Sequence, residues 1–271
     1  MSDSAPVKKV GVRDIVKMKR DGRRIVVVTA YDVIFARLVD AAGVDIVLVG
    51  DSLGNVVAGF ETTLPVKLEH MIYHGAAVRR GVRRALLVVD MPFLSYQASE
   101  ESAILNCGRV MQETGADAVK VEGGNEEMVR TVGRLTSIGI PVCAHLGFTP
   151  QSVRTIGMRV QGREEVDASR MVDQARALEG AGAFSLVLEL IPSDLAQRIS
   201  ESISIPTIGI GAGPKCDGQV LVLPDLLGLN EGFAPKFLKK YANLAETVRG
   251  AVEQFGEEVR DGTYPDAEHS N

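Results

Sequence analysis

Eight times along the chain a short run rich in valine, isoleucine and leucine ends in polar or glycine residues, and most of these runs pass into a stretch with helical periodicity. The runs are RIVVVTAYD (24–32), VDIVLVGDS (44–52), ALLVVDMPF (85–93), DAVKVEGG (117–124), IPVCAHLGF (140–148), FSLVLELIP (184–192), IPTIGIGAG (205–213) and GQVLVLPD (218–225). A strand wetted on one face alternates apolar and polar residues. Residues 44–49 hardly alternate, as expected of a strand buried on both faces of a parallel sheet. Helical patterns occupy residues 100–114, 125–137, 167–181 and 192–202. Strands alternating with helices in a chain of 271 residues, 45% of them hydrophobic, predict a single α/β domain over 1–271. The fold expected is a (β/α)8 TIM barrel, with a doubly wound open sheet as the alternative. Residues 7–22 read as an extra N-terminal helix closing the barrel bottom. Residues 1–8 and the polar tail from about 257 are expected to be flexible.

The residues that end the strands point to chemistry. The second run ends in Asp51-Ser52, the third in Asp90, the fourth in Lys120-Val-Glu122, the fifth in His145 and the sixth in Glu189. Any one of these acids could be a helix cap or a loop hydrogen-bond acceptor. On successive strands of a barrel, however, they crowd one rim, the carboxyl end at which such folds bind ligands. By strand alternation Lys120 and Glu122 share a side, as do Val88 and Asp90, and Val49 and Asp51; the groups converge if those sides face inward. Asp51, Asp90 and Glu122 brought together would repel one another unless a cation intervenes. Carboxylates without a cysteine or histidine pair favour a hard ion, magnesium first, with calcium and manganese compatible. Such an ion suits a substrate with two adjacent oxygens, for instance a 2-oxo acid whose neighbouring carbon loses a proton. Glu189, set among apolar residues, is the candidate base. Lys120 either anchors the substrate or neutralises Glu122, and His145 is either a core histidine or a site residue.

Other classes find little support. Thirty basic against 35 acidic residues give a formal charge of −5, which offers nucleic acid or an anionic membrane no attraction. Cys107, Cys143 and Cys216 show neither disulfide nor zinc spacing. No run of about 18 apolar residues suggests a membrane span, and MSDSAPVKK lacks a signal-peptide core. The sequence therefore reads as a cytoplasmic protein.

The segments TAYD, VGDSLGNVVAGFETTLPV, YHGAAVRRG, VDMPFLSY, AVKVEGG, PVCAHLGFTPQSV, VQGR, VLELIP and IGIGAGPKCDGQVLVLPDLLGL follow one another between about residues 9 and 241. Together they resemble the 3-methyl-2-oxobutanoate hydroxymethyltransferase family, the ketopantoate-forming enzymes of pantothenate biosynthesis. The resemblance implies a (β/α)8 barrel that moves a hydroxymethyl group from 5,10-methylenetetrahydrofolate to 3-methyl-2-oxobutanoate, giving 2-dehydropantoate. It implies one magnesium ion per subunit held by Asp51 and Asp90, with Glu122 direct or through water. Ser52 and Lys120 would join Asp51 and Asp90 in binding the oxo acid, Glu189 would be the proton acceptor, and His145 an additional site residue. A homodecamer of two pentamer rings is also implied. The folate enters through the resemblance alone.

Two features stand apart. IGIGAGPKCDGQ looks like the phosphate cradle of many barrels, although tight turns explain its glycines as well. RTIGMRVQGR is about a residue shorter than the family pattern. The phosphoenolpyruvate mutase and isocitrate lyase group shares the barrel, the magnesium and the oxo-acid enolate, but no KKCGH-like loop is present. A non-catalytic oxo-acid sensor would need no base such as Glu189.

Overall fold

In the computed structural model, which describes residues 8–270, the eight runs form eight strands: β1 Ile25–Thr29, β2 Ile46–Val49, β3 Leu86–Asp90, β4 Ala118–Glu122, β5 Val142–Gly147, β6 Ser185–Glu189, β7 Thr207–Ile210 and β8 Gly218–Leu221. They pair in parallel, each with the next and β8 with β1, in a closed barrel. The open-sheet alternative is thereby set aside. Helices Val33–Ala41, Leu68–Arg79, Glu100–Thr114, Glu126–Ser137, Glu165–Gly180 and Ser193–Ser202 lie between strands. Between β7 and β8 there is no helix, only the turn 211–217.

The barrel interior is apolar at its amino-terminal end. Ile25, Val27, Ile46, Leu48, Leu86, Val88, Ala118, Ile208 and Val220 form one buried cluster. Helix Val12–Arg20, within the predicted 7–22, adds Ile15 and Met18 to that cluster and so closes the barrel bottom. The expectation of a flexible segment at residues 1–8 falls, apart from Lys8, outside the described residues.

Acids before alternate strands latch this end. The Asp45 carboxylate, just ahead of β2, accepts from Val26 N at 3.0 Å, that of Asp117, ahead of β4, from Leu87 N at 3.0 Å, and that of Asp217, ahead of β8, from Thr207 N at 2.8 Å. Each also meets a cation: Asp45 meets Arg23 and Arg84, Asp117 meets Lys9 and Arg79, and Asp217 meets Lys19. Carboxylates at this end thus have their charge answered and tie neighbouring strands together.

By packing, the chain divides into a unit up to Val222, which contains the whole barrel, and a second from Leu223 to the carboxyl end. The second unit holds helices Leu223–Leu226 and Leu244–Asp261. The latter ends on the left-handed Gly262, past the point at which the flexible tail is expected. None of its residues is buried, and Val248, Val252, Phe255 and Val259 are exposed.

Replacing Asp45 by alanine strips the Val26 N–H and two guanidinium groups of a shared acceptor. The expected loss is about 2 kcal/mol of stability, read as a lower urea midpoint with an unchanged m-value.

Candidate active site at the carboxyl end of the barrel

Strand register decides which groups meet. Asp90 on β3 is the neighbour of Lys120 on β4, Glu122 of His145 on β5, and Gly147 of Glu189 on β6. Val88, two residues before Asp90, lies in the barrel core, so Asp90 points into the mouth. Lys120 and Glu122 take the same direction two and four residues after the core residue Ala118, and His145 two after Cys143.

Asp51 arrives differently from the expectation. Leu48 pairs with Val88 and shares the core face, which puts Val49 and its partner Val89 on the opposite face. Alternation with Val49 therefore does not bring Asp51 inward. The inward position is Gly50, where a Cβ would stand 2.6 Å from Ser52 Oγ and 3.6 Å from Asp90 Oδ2. Without that side chain the backbone turns across the mouth, and Asp51 N donates to Asp90 Oδ2 at 3.0 Å.

The groups form one connected set. Lys120 Nζ lies 2.9 Å from Asp90 Oδ1 and 3.5 Å from His145 Nδ1. His145 bridges two acids, with Nδ1 3.5 Å from Glu122 Oε1 and Nε2 3.4 Å from Glu189 Oε2. Asp51, Asp90, Lys120, Glu122 and His145 are all buried, whereas the Glu189 side chain keeps 18% exposure. Glu189 is thus the member open toward an incoming ligand. Ser52 Oγ is 2.9 Å from Tyr31 OH, and it makes no cap to helix Leu53–Val56. No side chain caps helix Ser193–Ser202 either, so Glu189 is not serving as its cap. The bland readings of these residues as helix caps fail on these contacts.

Sequence reasoning missed Gln151, in the turn Pro150–Ser152 after β5, and Tyr96. Gln151 Nε2 donates to Asp51 Oδ2 at 2.9 Å and its backbone N to Glu122 Oε2 at 3.1 Å, while Glu122 N donates to Tyr96 OH at 3.0 Å. No spacing rule links these positions to the strand ends. Their loops carry other polar residues, Ser95 and Gln97 beside Tyr96 and Thr149 and Ser152 beside Gln151, so nothing in the sequence singled them out.

Burial dominates the electrostatics. It pushes the Asp51 carboxyl up to about 8, helped by the charges of Glu122 and Asp90, and it also raises Asp90 despite Lys120. For Lys120 burial opposes the charged form, but Asp90, Glu122 and Asp51 together outweigh it and hold the ammonium well above its ordinary range. Burial and Lys120 likewise oppose the imidazolium of His145, yet its contacts to Glu122 and Glu189 raise it to about 9. Glu122 is the exception among the acids: burial would raise it, and His145 with Lys120 brings it below the usual carboxylate value. Asp90 Oδ1, Glu122 Oε1 and His145 Nε2 are buried with no hydrogen bond, only the ion pairs above. Three buried acids beside two bases leave the mouth with more carboxyl groups than nearby cations to answer them.

A cavity of about 500 Å³ opens beside this set, running from Glu122 and Gly147 past Gln151 to Gln161 and Gln174. Its wall is pinned close to Glu189. Gly147 has φ of +95°, and a Cβ there would stand 2.2 Å from the Glu189 carbonyl oxygen. Phe148 N donates to that same oxygen at 2.8 Å. The following residue, Leu190, holds a left-handed φ of +47°, fixed by Leu190 N to Ile210 O and Gln161 N to Leu190 O, both 2.9 Å.

The profile of the ketopantoate hydroxymethyltransferase family matches residues 9–267. The chain belongs to that family. One relative, a 3-methyl-2-oxobutanoate hydroxymethyltransferase of Pelobacter propionicus, is 57% identical over 264 residues, covering 97% of each chain. Among solved structures, 2,3-dimethylmalate lyase of the PEP mutase/isocitrate lyase superfamily aligns with a TM-score of 0.60 at 16% identity, covering 96% of this chain and 91% of that one. Phosphonopyruvate hydrolase aligns at 0.62 and 14%, covering 96% and 93%. At these identities the likeness concerns the barrel fold alone. In this family member the glycine-rich IGIGAGPKCDGQ serves packing and turning: a Cβ on Gly213 would stand 2.3 Å from Ser193 Oγ.

Two outcomes follow. Gly147→Ala forces the Glu189 carbonyl away, and the expected result is lower stability together with loss of whatever chemistry Glu189 performs, measured on the same preparation by denaturation and activity. For the metal-free protein, the raised Asp51 carboxyl keeps its proton in the folded state while the unfolded chain has released it, so stability falls as pH rises from about 4 toward 8. His145 acts in the same sense between its ordinary value of 6.5 and about 9. A urea midpoint that falls from pH 6.5 to 8 without metal, and is restored by magnesium, is the expected observation.

Proposed function

We propose that this site transfers a hydroxymethyl group from 5,10-methylenetetrahydrofolate to 3-methyl-2-oxobutanoate, giving 2-dehydropantoate and tetrahydrofolate. The observation that carries this reading is the juxtaposition of three buried carboxylates, two of them with an oxygen that accepts no hydrogen bond, with Lys120 and the more open Glu189. The family match and the relatives' names support the oxo acid and the transferred hydroxymethyl group; the folate donor rests on the sequence resemblance alone.

Magnesium fits the residues present. Asp51, Asp90 and Glu122 supply hard oxygens, and the carboxyls of Asp51 and Asp90, raised chiefly by burial, are ones whose charged form a bound cation would favour. Among the described residues no acid, histidine or cysteine trio is already gathered at ligand spacing. That suits magnesium, which keeps waters and takes substrate oxygens in place of a full protein cage. Asp51 and Asp90 would hold it, with Glu122 direct or through water, and when bound it withdraws charge from the substrate ketone. A distant fold relative, phosphonopyruvate hydrolase, was solved with oxalate and magnesium together.

The chain's own residues do the rest. Lys120, fixed against Asp90, offers its ammonium to the oxo-acid oxygens, with Ser52 beside it. Glu189, steadied by His145 Nε2, accepts the C3 proton, leaving an enolate. The enolate attacks the one-carbon unit of the folate, water supplies the hydroxyl oxygen, and tetrahydrofolate leaves. The cavity beside Glu122 has the size of a small-molecule site and gives the donor room to approach. The presence of Glu189, more exposed than the rest of the set, favours this turnover over mere sensing of an oxo acid, since binding alone needs no base at the reacting carbon. We further propose a cytoplasmic homodecamer. The exposed apolar face of helix Leu244–Asp261 supports association of copies, and among the described residues no helix is long and apolar enough to cross a membrane.

In D2O with 3-methyl-2-oxobutanoate, the C3 proton should exchange only when magnesium is present, followed by NMR, and added methylenetetrahydrofolate should then yield 2-dehydropantoate. Glu189→Gln should slow the exchange by at least about a hundred-fold while oxo-acid binding persists; exchange at an undiminished rate removes Glu189 as the base.

A further inference from the structure

Gln151 holds the carboxylates of two different strand ends at once. Its Nε2 gives one hydrogen to Asp51 Oδ2 at 2.9 Å and the other to Met91 O at 2.8 Å, while its Oε1 receives Tyr96 OH at 2.8 Å and Gln97 Nε2 at 2.9 Å. Both amide hydrogens and both carbonyl lone pairs are used. A flipped amide would set oxygen against Asp51 Oδ2 and Met91 O, and nitrogen against Gln97, so only one orientation is possible. The backbone N of the same residue donates to Glu122 Oε2 at 3.1 Å. Asp51 N in turn donates to Asp90 Oδ2.

One chain of neutral donors therefore runs Glu122, Gln151, Asp51, Asp90, and it engages one oxygen of each acid. Of the others, Asp90 Oδ1 and Glu122 Oε1 are buried without a hydrogen bond and meet only the ion-pair partners Lys120 and His145. Because the donors are an amide and backbone N–H groups, they fix the carboxylates without adding positive charge that would compete with a cation.

The geometry points to Gln151 as a positioning residue that aims the carboxylates of Asp51 and Glu122 for the divalent cation and its oxo-acid ligand. This role rests on the magnesium reading above, and it concerns metal affinity rather than proton transfer. Tyr96 orients Gln151 by donating to its Oε1, and it is buried for that purpose.

The test is Gln151→Met, similar in length, which removes the four side-chain hydrogen bonds and keeps the backbone N–H to Glu122. Magnesium binding is titrated calorimetrically with 3-methyl-2-oxobutanoate present, and the magnesium concentration giving half-maximal C3 exchange is measured alongside. Both should move about ten-fold or more toward higher concentration, and saturating magnesium should restore exchange close to that of the unsubstituted chain. A folded variant that exchanges more slowly at every magnesium concentration, with the half-saturating value unchanged, marks a merely structural residue and overturns the role. Where Gln151→Met does not fold, Tyr96→Phe takes its place: a smaller shift in the same direction supports the role, and no shift overturns it. If the unsubstituted chain binds no magnesium, the function proposed above fails and this role with it; binding that the substitutions leave untouched overturns this role alone.

Discussion

Parallel pairing in register sets Asp90 beside Lys120 and Glu122 beside His145 above the apolar core, and the character of the barrel mouth follows from these two neighbouring pairs. Each puts a base and an acid together out of water, where an unpaired charge would cost several kcal/mol. Pairing makes burial tolerable but leaves it incomplete, since carboxyl groups outnumber bases and two carboxylate oxygens accept no hydrogen bond. The mouth therefore carries an excess of buried acid, the feature on which the proposed cation site rests.

The two ends of the barrel use acids in opposite ways. Asp45, Asp117 and Asp217 each accept a backbone N–H from the preceding strand and each face cations, so they close the barrel wall. At the carboxyl end the acids are tied instead to each other through Asp51 N and Gln151, with Lys120 and His145 as the cations set among them. The difference shows why an acid beside a strand carries no meaning until its hydrogen bonds are traced.

Much of the fold was legible because burial on both faces writes a continuous apolar run for central strands such as β2 and β3, and all eight runs became strands. Residues inside strands could be aimed by alternation, which holds for Asp90, Lys120, Glu122 and His145. Asp51 escaped that rule because it lies beyond the end of β2, where the turn at Gly50 rather than the pleat decides direction. Gln151 was illegible for a similar reason: it is a loop residue whose partners lie up to 100 positions away. The missing helix between β7 and β8 reflects the glycines and proline of 211–217, which favour turning over helical continuation.

The strained Leu190 couples two parts of the site mechanically. Its carbonyl fastens Gln161, on the loop that walls the cavity, while its own amide is fastened to β7. For the loop to move outward at Gln161 it must release the peptide adjoining Glu189. Access to the cavity and the placing of Glu189 are thus tied through one backbone hydrogen bond, and a displacement that opens the wall there also loosens the residue beside it.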